Sequence, residues 1–119
     1  MLIDVTRDVF KLAQVFTISR GSRTEAQVLT VSVSEAGLTG RGECVPYARY
    51  GETLESVEAE IRKLPATFDR AALQALLPAG AARNAVDCAL WDLEAKRAGK
   101  RVWELAGLPA PRPEITAYT

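Results

Sequence analysis

The sequence predicts an α+β fold in which a three-stranded antiparallel meander precedes a helical bundle. Three observations predict it. The first third of the chain alternates apolar and polar residues, the remainder repeats apolar residues at helical spacing, and capping residues separate the helical segments. With 119 residues, 48% of them hydrophobic and 25% charged, the chain has the size and composition of one globular domain.

The predicted strands follow the period-two alternation of a half-buried sheet. Their inward-facing residues are Ile3, Val5 and Val9 in the first strand and Leu29, Val31 and Val33 in the second. Residues 34–37 predict a turn, and residues 38–44 return as the third strand. Within that strand, Gly40 and Gly42 indicate either a bulge or a close approach of another backbone.

Two polar segments are predicted to be exposed loops. Residues 19–25 separate the first two strands and are too polar and glycine-containing for a packed element. Residues 45–52 follow the third strand. We refer to the second segment as the 45–52 loop.

The helical part is divided by capping residues and prolines. Thr53 is predicted to cap a helix that begins at Leu54, and Asp69 to cap a shorter one. A long core helix is predicted from Ala81, with Gly99 in the left-handed position after it. The side chains expected inside are Leu54, Val57, Ile61, Leu64, Leu73, Leu76, Leu77, Ala82, Ala85, Val86, Ala89, Leu90 and Leu93.

The end of the chain predicts one more helical turn and then an extended exit. Residues 102–106 suit a single turn, and a proline-rich stretch follows. Residues 114–119 alternate like the start of a strand with no successor to pair with. This pattern predicts that the sequence stops inside a longer protein.

Charge, histidine and cysteine content exclude several classes of function. Fifteen basic residues balance fifteen acidic ones, so the chain has no net positive charge to attract nucleic acid or an anionic membrane surface. No apolar run approaches the ~20 residues of a membrane span, and the N-terminus lacks a signal-peptide pattern, which predicts a soluble, cytoplasmic protein. Histidine is absent, which removes Ser-His-Asp, Cys-His and imidazole-zinc chemistry. Cys44 and Cys88 are predicted to be unpaired, buried thiols.

The candidate binding residues lie in the two predicted loops. Arg20 and Arg23 flank a glycine and can present two guanidinium groups to a carboxylate or phosphate, or they can be solvated side chains. Tyr47, Arg49 and Tyr50 combine rigid contact area with polar ends, which suits either recognition of a ligand or packing of the loop on its own domain. Residue types alone leave these alternatives open.

Three carboxylates on the long helix invite a metal hypothesis. Asp87 and Glu94 are seven residues apart, whereas Asp92 is expected to face elsewhere. Pairing of Asp92 with Lys96 one helical turn later explains an exposed carboxylate better. A metal site is therefore not predicted on this helix.

Longer segments of the sequence resemble a known enzyme family. Residues 81–96, AARNAVDCALWDLEAK, resemble the signature helix of mandelate racemase and muconate-lactonizing-enzyme relatives. Together with residues 40–52, GRGECVPYARYGE, and residues 19–24, SRGSRT, they make the chain similar to dipeptide epimerases of the enolase superfamily, particularly those acting on L-alanyl-glutamate.

The resemblance implies a division of the chain and a role for its loops. Residues 1–110 would form the N-terminal capping domain, and residues 111–119 would be a linker and the start of the first strand of a (β/α)7β barrel, which is absent. The cap would close over the barrel mouth with loops near residues 18–25 and 45–52. Arg20 and Arg23 would then meet a substrate carboxylate, while Tyr47, Arg49 and Tyr50 would close or line the specificity pocket.

The family reaction implies what the chain would lack. It removes the proton alpha to a carboxylate and returns it to the opposite face, using two barrel lysines and Mg²⁺ to stabilise the enediolate. The expected substrate is a dipeptide such as those from murein, and the expected partner is the chain's own barrel, with a homo-oligomer left open. No catalytic or metal-binding residue is expected in this chain, which would be inactive alone.

Two alternatives remain at this stage. One is another superfamily activity, such as that of o-succinylbenzoate synthase or a muconate cycloisomerase, because a fold does not fix a function. The other is a stand-alone binding or assembly module. A cap separated from its barrel should expose more apolar surface than such a module.

Overall fold

A three-stranded antiparallel sheet forms the first part of the molecule. The computed structural model describes residues 1–19 and 21–117. Strand β1 spans Leu2–Ile18, β2 spans Gly21–Glu35 and β3 spans Leu38–Cys44. They pair in the order β1-β2-β3, each antiparallel to its neighbour. The predicted meander and its position before the helices are confirmed.

The turn between β2 and β3 has the geometry that a two-residue hairpin favours. Ala36 and Gly37 both have positive φ angles, 51° and 78°. Positive φ at both central residues gives the turn a twist that matches the twist of the flanking strands. This local geometry fixes the pairing of Glu35 with Leu38 and thereby the register of β3.

Over the described residues that follow the sheet, the chain forms four α-helices and one short 3₁₀ turn. Helix α1 spans Leu54–Arg62, α2 spans Arg70–Leu76, α3 spans Ala81–Ala98 and α4 spans Val102–Leu105, and the 3₁₀ turn covers Ala48–Tyr50. Thr53 accepts a hydrogen bond from the Ser56 N–H at 3.1 Å, and Asp69 accepts one from the Ala72 N–H at 2.7 Å. Both predicted N-caps are therefore confirmed.

The core lies between one face of the sheet and the helices. Leu29, Val31 and Val33 of β2 are fully buried. The residues of the helices and of the α2 C-cap that are buried with them are Val57, Ile61, Leu73, Leu77, Ala82, Ala85, Val86, Ala89, Leu90 and Leu93. Small residues on α3 allow the helix backbone to lie close to the sheet, so the predicted core helix is confirmed.

Gly40 and Gly42 mark the place where α3 lies closest to β3. A Cβ atom on Gly40 would lie 2.0 Å from the carbonyl oxygen of Ala89. The register between β2 and β3 is uninterrupted along β3, so close backbone approach, and not a bulge, accounts for the glycines.

The sheet is longer than the alternation predicted, and the predicted loop at residues 19–25 is wrong over most of its length. Residues 21–25 belong to β2, and Arg23 pairs with Phe16 across the ribbon. Val9, predicted to face the core, is 60% exposed. Apolar alternation reports burial, whereas strand pairing in this exposed ribbon rests on main-chain hydrogen bonds. The register of the ribbon shifts between Lys11 and Phe16.

Other predicted core positions also prove exposed. Cys88 lies on the solvent side of α3, away from the buried stripe that contains Ala85 and Ala89. Leu76, at the end of α2, is 42% exposed, whereas its neighbour Leu77 is buried. Apolar character alone therefore did not distinguish the inner face of these helices from the outer one.

The final described segment has no helix or strand. Residues 108–117 follow α4 without regular hydrogen-bonded structure, and Ile115 is fully exposed. The predicted strand at residues 114–119 is absent over residues 114–117. No strand of the β1-β2-β3 sheet pairs with this segment. The last two residues of that prediction lie outside the described part of the chain.

The helices in the described part of the chain include none that is long and apolar enough to span a bilayer.

Candidate functional site

The tip of the β1–β2 ribbon and the 45–52 loop enclose a groove at one end of the sheet. The groove has a volume of about 240 Å³. Its described lining residues are Phe16, Ile18, Gly21, Ser22, Arg23 and Tyr47. We call it the ribbon–loop groove. It combines apolar walls with a small number of polar groups, which is the usual composition of a small-molecule site.

Arg23 contributes a cationic group to the groove. It is an exposed residue of β2 and pairs with Phe16 of β1, so the ribbon holds its backbone. Arg23 also lines an adjoining hollow of about 300 Å³ together with Pro46 and Ala48 of the 45–52 loop. A guanidinium group at this position can donate two parallel hydrogen bonds to a carboxylate.

Tyr47 and Tyr50 are brought together by a tight turn in the 45–52 loop. The Tyr50 N–H donates to the Tyr47 carbonyl at 2.9 Å, and Gly51, with φ of 76°, donates to Ala48 at 3.0 Å. The two rings meet edge to face, with centroids 5.6 Å apart. Tyr47 is half-buried against the groove, whereas Tyr50 is 77% exposed.

Glu52 connects the 45–52 loop to the long helix. Its Oε2 atom accepts a hydrogen bond from the Tyr47 N–H at 3.0 Å, and its Oε1 atom accepts one from the Ala81 N–H at 2.8 Å. Sequence reasoning did not identify Glu52, because its partners are separated in the chain. One local feature of the sequence points to such a residue: Gly80, which precedes α3, has no side chain with which to cap the helix, so the cap must come from another segment.

Cys44 lies beneath the loop and is chemically quiet. Burial raises the pKa of its thiol to about 11, and the negative charges of Glu52 and Glu43 add to that effect. A thiol with so high a pKa is almost wholly protonated near neutral pH and is a poor nucleophile. The prediction that Cys44 is a buried structural thiol is confirmed.

The predicted site residues are distributed unevenly around the groove. Arg23 and Tyr47 come from different segments and line it together. Tyr50 packs against Tyr47 but is not itself one of the described lining residues. Arg49 lies exposed in the 3₁₀ turn and is not among them either. Arg20 lies outside the described residues.

The described residues do not supply a metal centre. Across residues 1–19 and 21–117, no three Cys, Asp or Glu side chains are grouped so that they could hold a metal ion. Asp92 forms an ion pair with Lys96 at 2.7 Å, which confirms the predicted pairing of these two residues. Glu94 forms an ion pair with Arg70 at 2.9 Å.

Comparison with known proteins identifies the domain family. Residues 3–107 match the family described as mandelate racemase / muconate lactonizing enzyme, N-terminal domain. The chain is 47% identical to an L-Ala-D/L-Glu epimerase from Escherichia coli, over 98% of this chain and 38% of that protein.

Solved structures give the same relationship. One is a crystal structure of an enolase family member from Agrobacterium tumefaciens with homology to dipeptide epimerases, which holds sodium and L-Ala-L-Glu. It matches with a TM-score of 0.84 and 50% identity, over 91% of this chain and 35% of that one. A dipeptide epimerase from Methylococcus capsulatus, complexed with Mg and L-Arg-D-Lys, matches with a TM-score of 0.74 and 35% identity, over 88% of this chain and 34% of that one.

The chain thus spans little more than a third of the length of these relatives. Its sheet and helices match the N-terminal part of the enolase-superfamily fold, as the resemblance of residues 40–52 and 81–96 predicted. The chain belongs to the N-terminal domain family of mandelate racemase and muconate lactonizing enzymes, and its relatives include dipeptide epimerases of the enolase superfamily.

Proposed function

We propose that this chain is the capping domain of a dipeptide epimerase and that its ribbon–loop groove selects an acidic dipeptide such as L-Ala-L-Glu. The observation that carries the proposal is the meeting of Arg23 and Tyr47 in one groove although they belong to different segments. The relatives named for L-Ala-D/L-Glu epimerisation and for bound L-Ala-L-Glu support this substrate class.

The chemistry of the groove favours a carboxylate ligand. Arg23 offers a guanidinium group beside the apolar walls formed by Phe16 and Ile18. In a dipeptide that ends in glutamate, the α-carboxylate belongs to the reacting centre, which leaves the side-chain carboxylate for a residue of the cap. A charge-assisted pair between this carboxylate and Arg23 would distinguish glutamate from a neutral residue of the same size.

The reaction itself is assigned to a barrel domain outside this sequence. Epimerisation needs a base on each side of the α-carbon and a cation near the carboxylate. Magnesium accompanies the dipeptide in the related structure from Methylococcus capsulatus. In our proposal, barrel residues hold that ion and provide two lysine bases, so the isolated chain is inactive.

The domain division follows from the same proposal. Residues 1–110 form the cap, and residues 111–119 lead into the first barrel strand. The family match over residues 3–107 and the irregular segment at residues 108–117 support this boundary. A cytoplasmic location and the roles of Arg20, Arg49 and Tyr50 at the site remain part of the proposal.

Exposed apolar side chains favour a cap over a stand-alone module. The outer part of the ribbon exposes Val9, Phe10, Val15, Phe16 and Ile18, each to at least 47%. Monomeric proteins seldom leave a continuous apolar surface of several hundred Å² uncovered, so a neighbouring domain is expected to cover this ribbon. Sedimentation of the isolated chain tests this, because an uncovered ribbon promotes self-association.

Solvent exchange at the glutamate α-carbon tests the function directly. The complete protein, with Mg²⁺ and L-Ala-L-Glu in D₂O, is expected to exchange the glutamate α-proton for deuterium and to produce L-Ala-D-Glu, as followed by proton NMR. The isolated 119-residue chain is expected to do neither. Exchange by the isolated chain, or none by the complete protein, would contradict the proposal.

A further inference from the structure

One carboxylate joins the 45–52 loop to helix α3. Glu52 uses one oxygen for the Tyr47 N–H at 3.0 Å and the other for the Ala81 N–H at 2.8 Å. Both hydrogen bonds are partly buried and both link a charged acceptor to a main-chain donor. Such bonds are short and are stronger than neutral ones, so they can hold a loop in one place.

The same carboxylate also caps the N-terminus of helix α3. The first N–H groups of an α-helix have no partner within the helix, and a negative charge near them is favourable. Gly80 occupies the N-cap position of α3 and forms no side-chain cap. Glu52 therefore performs from another segment the capping role that Thr53 and Asp69 perform for α1 and α2.

The absence of a side chain at Gly80 also makes room for the carboxylate. A Cβ atom on Gly80 would lie 2.9 Å from Oε1 of Glu52. The φ angle of Gly80 is 164°, an extended conformation that other residues also adopt, so backbone strain does not explain the glycine. The space it leaves is filled by the Glu52 carboxylate.

We infer that Glu52 is a positioning residue that fixes Tyr47 at the ribbon–loop groove by clamping the 45–52 loop to the start of α3. The clamp sets the distance across the groove between Tyr47 and Arg23, which belongs to the ribbon. Its effect on substrate binding rests on the proposed function, whereas the clamp itself does not. Glu52 touches main-chain groups, and no direct contact with a substrate is assigned to it.

Substitution of Glu52 and Gly80 tests the clamp in the isolated chain. Glu52→Ala removes both hydrogen bonds, and Gly80→Ala keeps the charge but displaces it by steric contact. Glu52→Ala is expected to accelerate hydrogen exchange at the Tyr47 and Ala81 amides by about 10-fold or more, the effect of losing a charged hydrogen bond. Gly80→Ala should accelerate it less, because the end of the flexible Glu52 side chain can shift at little cost. Exchange at Ile61 in α1 should stay unchanged, which separates loss of the clamp from general destabilisation.

The double variant provides a second criterion. Once the carboxylate is gone, the added Cβ on residue 80 meets no obstacle there, so Glu52→Ala/Gly80→Ala should exchange no faster than Glu52→Ala alone. Glu60→Gln on α1 serves as a charge-matched control and should leave both amides unaffected. Unchanged exchange at Tyr47 in Glu52→Ala, or fully additive effects in the double variant, would overturn the clamp.

Kinetics of the complete enzyme test the link to substrate binding. Glu52→Ala is expected to raise KM for L-Ala-L-Glu about 10-fold with a much smaller change in kcat, because the clamp positions a binding residue and not the reacting groups. An unchanged KM in an active enzyme would overturn the positioning role. If the complete enzyme does not epimerise dipeptides, the proposed function is refuted. The clamp is then still tested by amide exchange, which does not depend on that function.

Discussion

Gly42 of β3 lies directly against the carbonyl oxygen of Ala85 on α3, so that a Cβ atom on Gly42 would be 2.0 Å from that oxygen. The same Cβ would lie 2.8 Å from the Ala89 nitrogen. Neither neighbour can move without moving the helix, because both are main-chain atoms. The contact thus sets how closely the central helix packs on the sheet that carries the groove.

Substitution of Gly42 should therefore destabilise the fold. Gly42→Ala forces β3 and α3 apart and is expected to lower the free energy of unfolding by about 1–3 kcal/mol, the range for overpacked cores. Urea-induced unfolding measures the change. Glu43→Ala, at the next and exposed position of β3, is the control and should change stability by less than about 0.5 kcal/mol. Equal effects from the two variants would mean that the close approach is absent.

Asp92 links β3 to α3 by charge and should make stability depend on acidity. Its Oδ2 atom accepts hydrogen bonds from the Arg41 N–H at 2.8 Å and from Lys96 at 2.7 Å. Partial burial favours the neutral acid, but the bonds from Lys96 and Arg41 outweigh it and hold the pKa of Asp92 below its usual value. The carboxylate form is therefore the one that stabilises the fold.

The sign of the pH effect follows from that lowered pKa. The stabilisation by Asp92 is complete above the pKa of an unfolded Asp, about 3.9, and is lost as the pH falls through the lower folded value. Asp92→Asn should thus cost about 1 kcal/mol at pH 7, allowing for solvent screening, and progressively less as the pH falls below the unfolded pKa of about 3.9. Urea unfolding of the wild type and the variant, at pH 7 and at acid pH, measures this change in the free energy of unfolding. A variant cost that grows in acid would contradict the assigned interaction.

The two cysteines should react very differently with an alkylating reagent. Cys44 is buried with a pKa of about 11, whereas Cys88 is exposed on α3. Iodoacetamide at pH 8 is expected to modify Cys88 in the folded chain and to leave Cys44 intact, as mass spectrometry of peptides would show. Unfolding in urea should expose both thiols. Modification of Cys44 before Cys88 would show that the helix is rotated or the strand misplaced.

The parts of the fold that depend on local sequence could be predicted. Thr53, Asp69 and Gly99 end or begin helices through interactions with residues a few positions away. The turn at residues 36–37 requires only its own backbone geometry. Helical spacing likewise identified the buried stripe of α3, because that stripe is continuous along one face.

Relationships between distant segments could not be predicted from the residues alone. Glu52 and Ala81 meet only because the loop after β3 folds back on α3, and no spacing rule connects them. The pairing of Arg23 with Phe16 extends an exposed ribbon that has no buried face to produce an alternating pattern. The family resemblance directed attention to Arg23 and Tyr47, but the groove that they share emerged from the fold.

Arg23 is the residue on which the proposed selection of an acidic dipeptide depends most directly. If its guanidinium group binds the side-chain carboxylate of a substrate glutamate, removal of the charge should harm acidic dipeptides and spare neutral ones. L-Ala-L-Gln is a neutral substrate of nearly the same shape as L-Ala-L-Glu. Arg41→Met, at an exposed position of β3 away from the groove lining, is the matched control.

The decisive measurement is the ratio of kcat/KM for L-Ala-L-Glu to that for L-Ala-L-Gln in the complete enzyme. Arg23→Met is expected to lower this ratio about 10- to 100-fold, the effect of losing a charged hydrogen bond worth ~1.5–3 kcal/mol, while Arg41→Met leaves it unchanged. A ratio that stays the same in Arg23→Met would contradict the claim that this groove selects the acidic substrate.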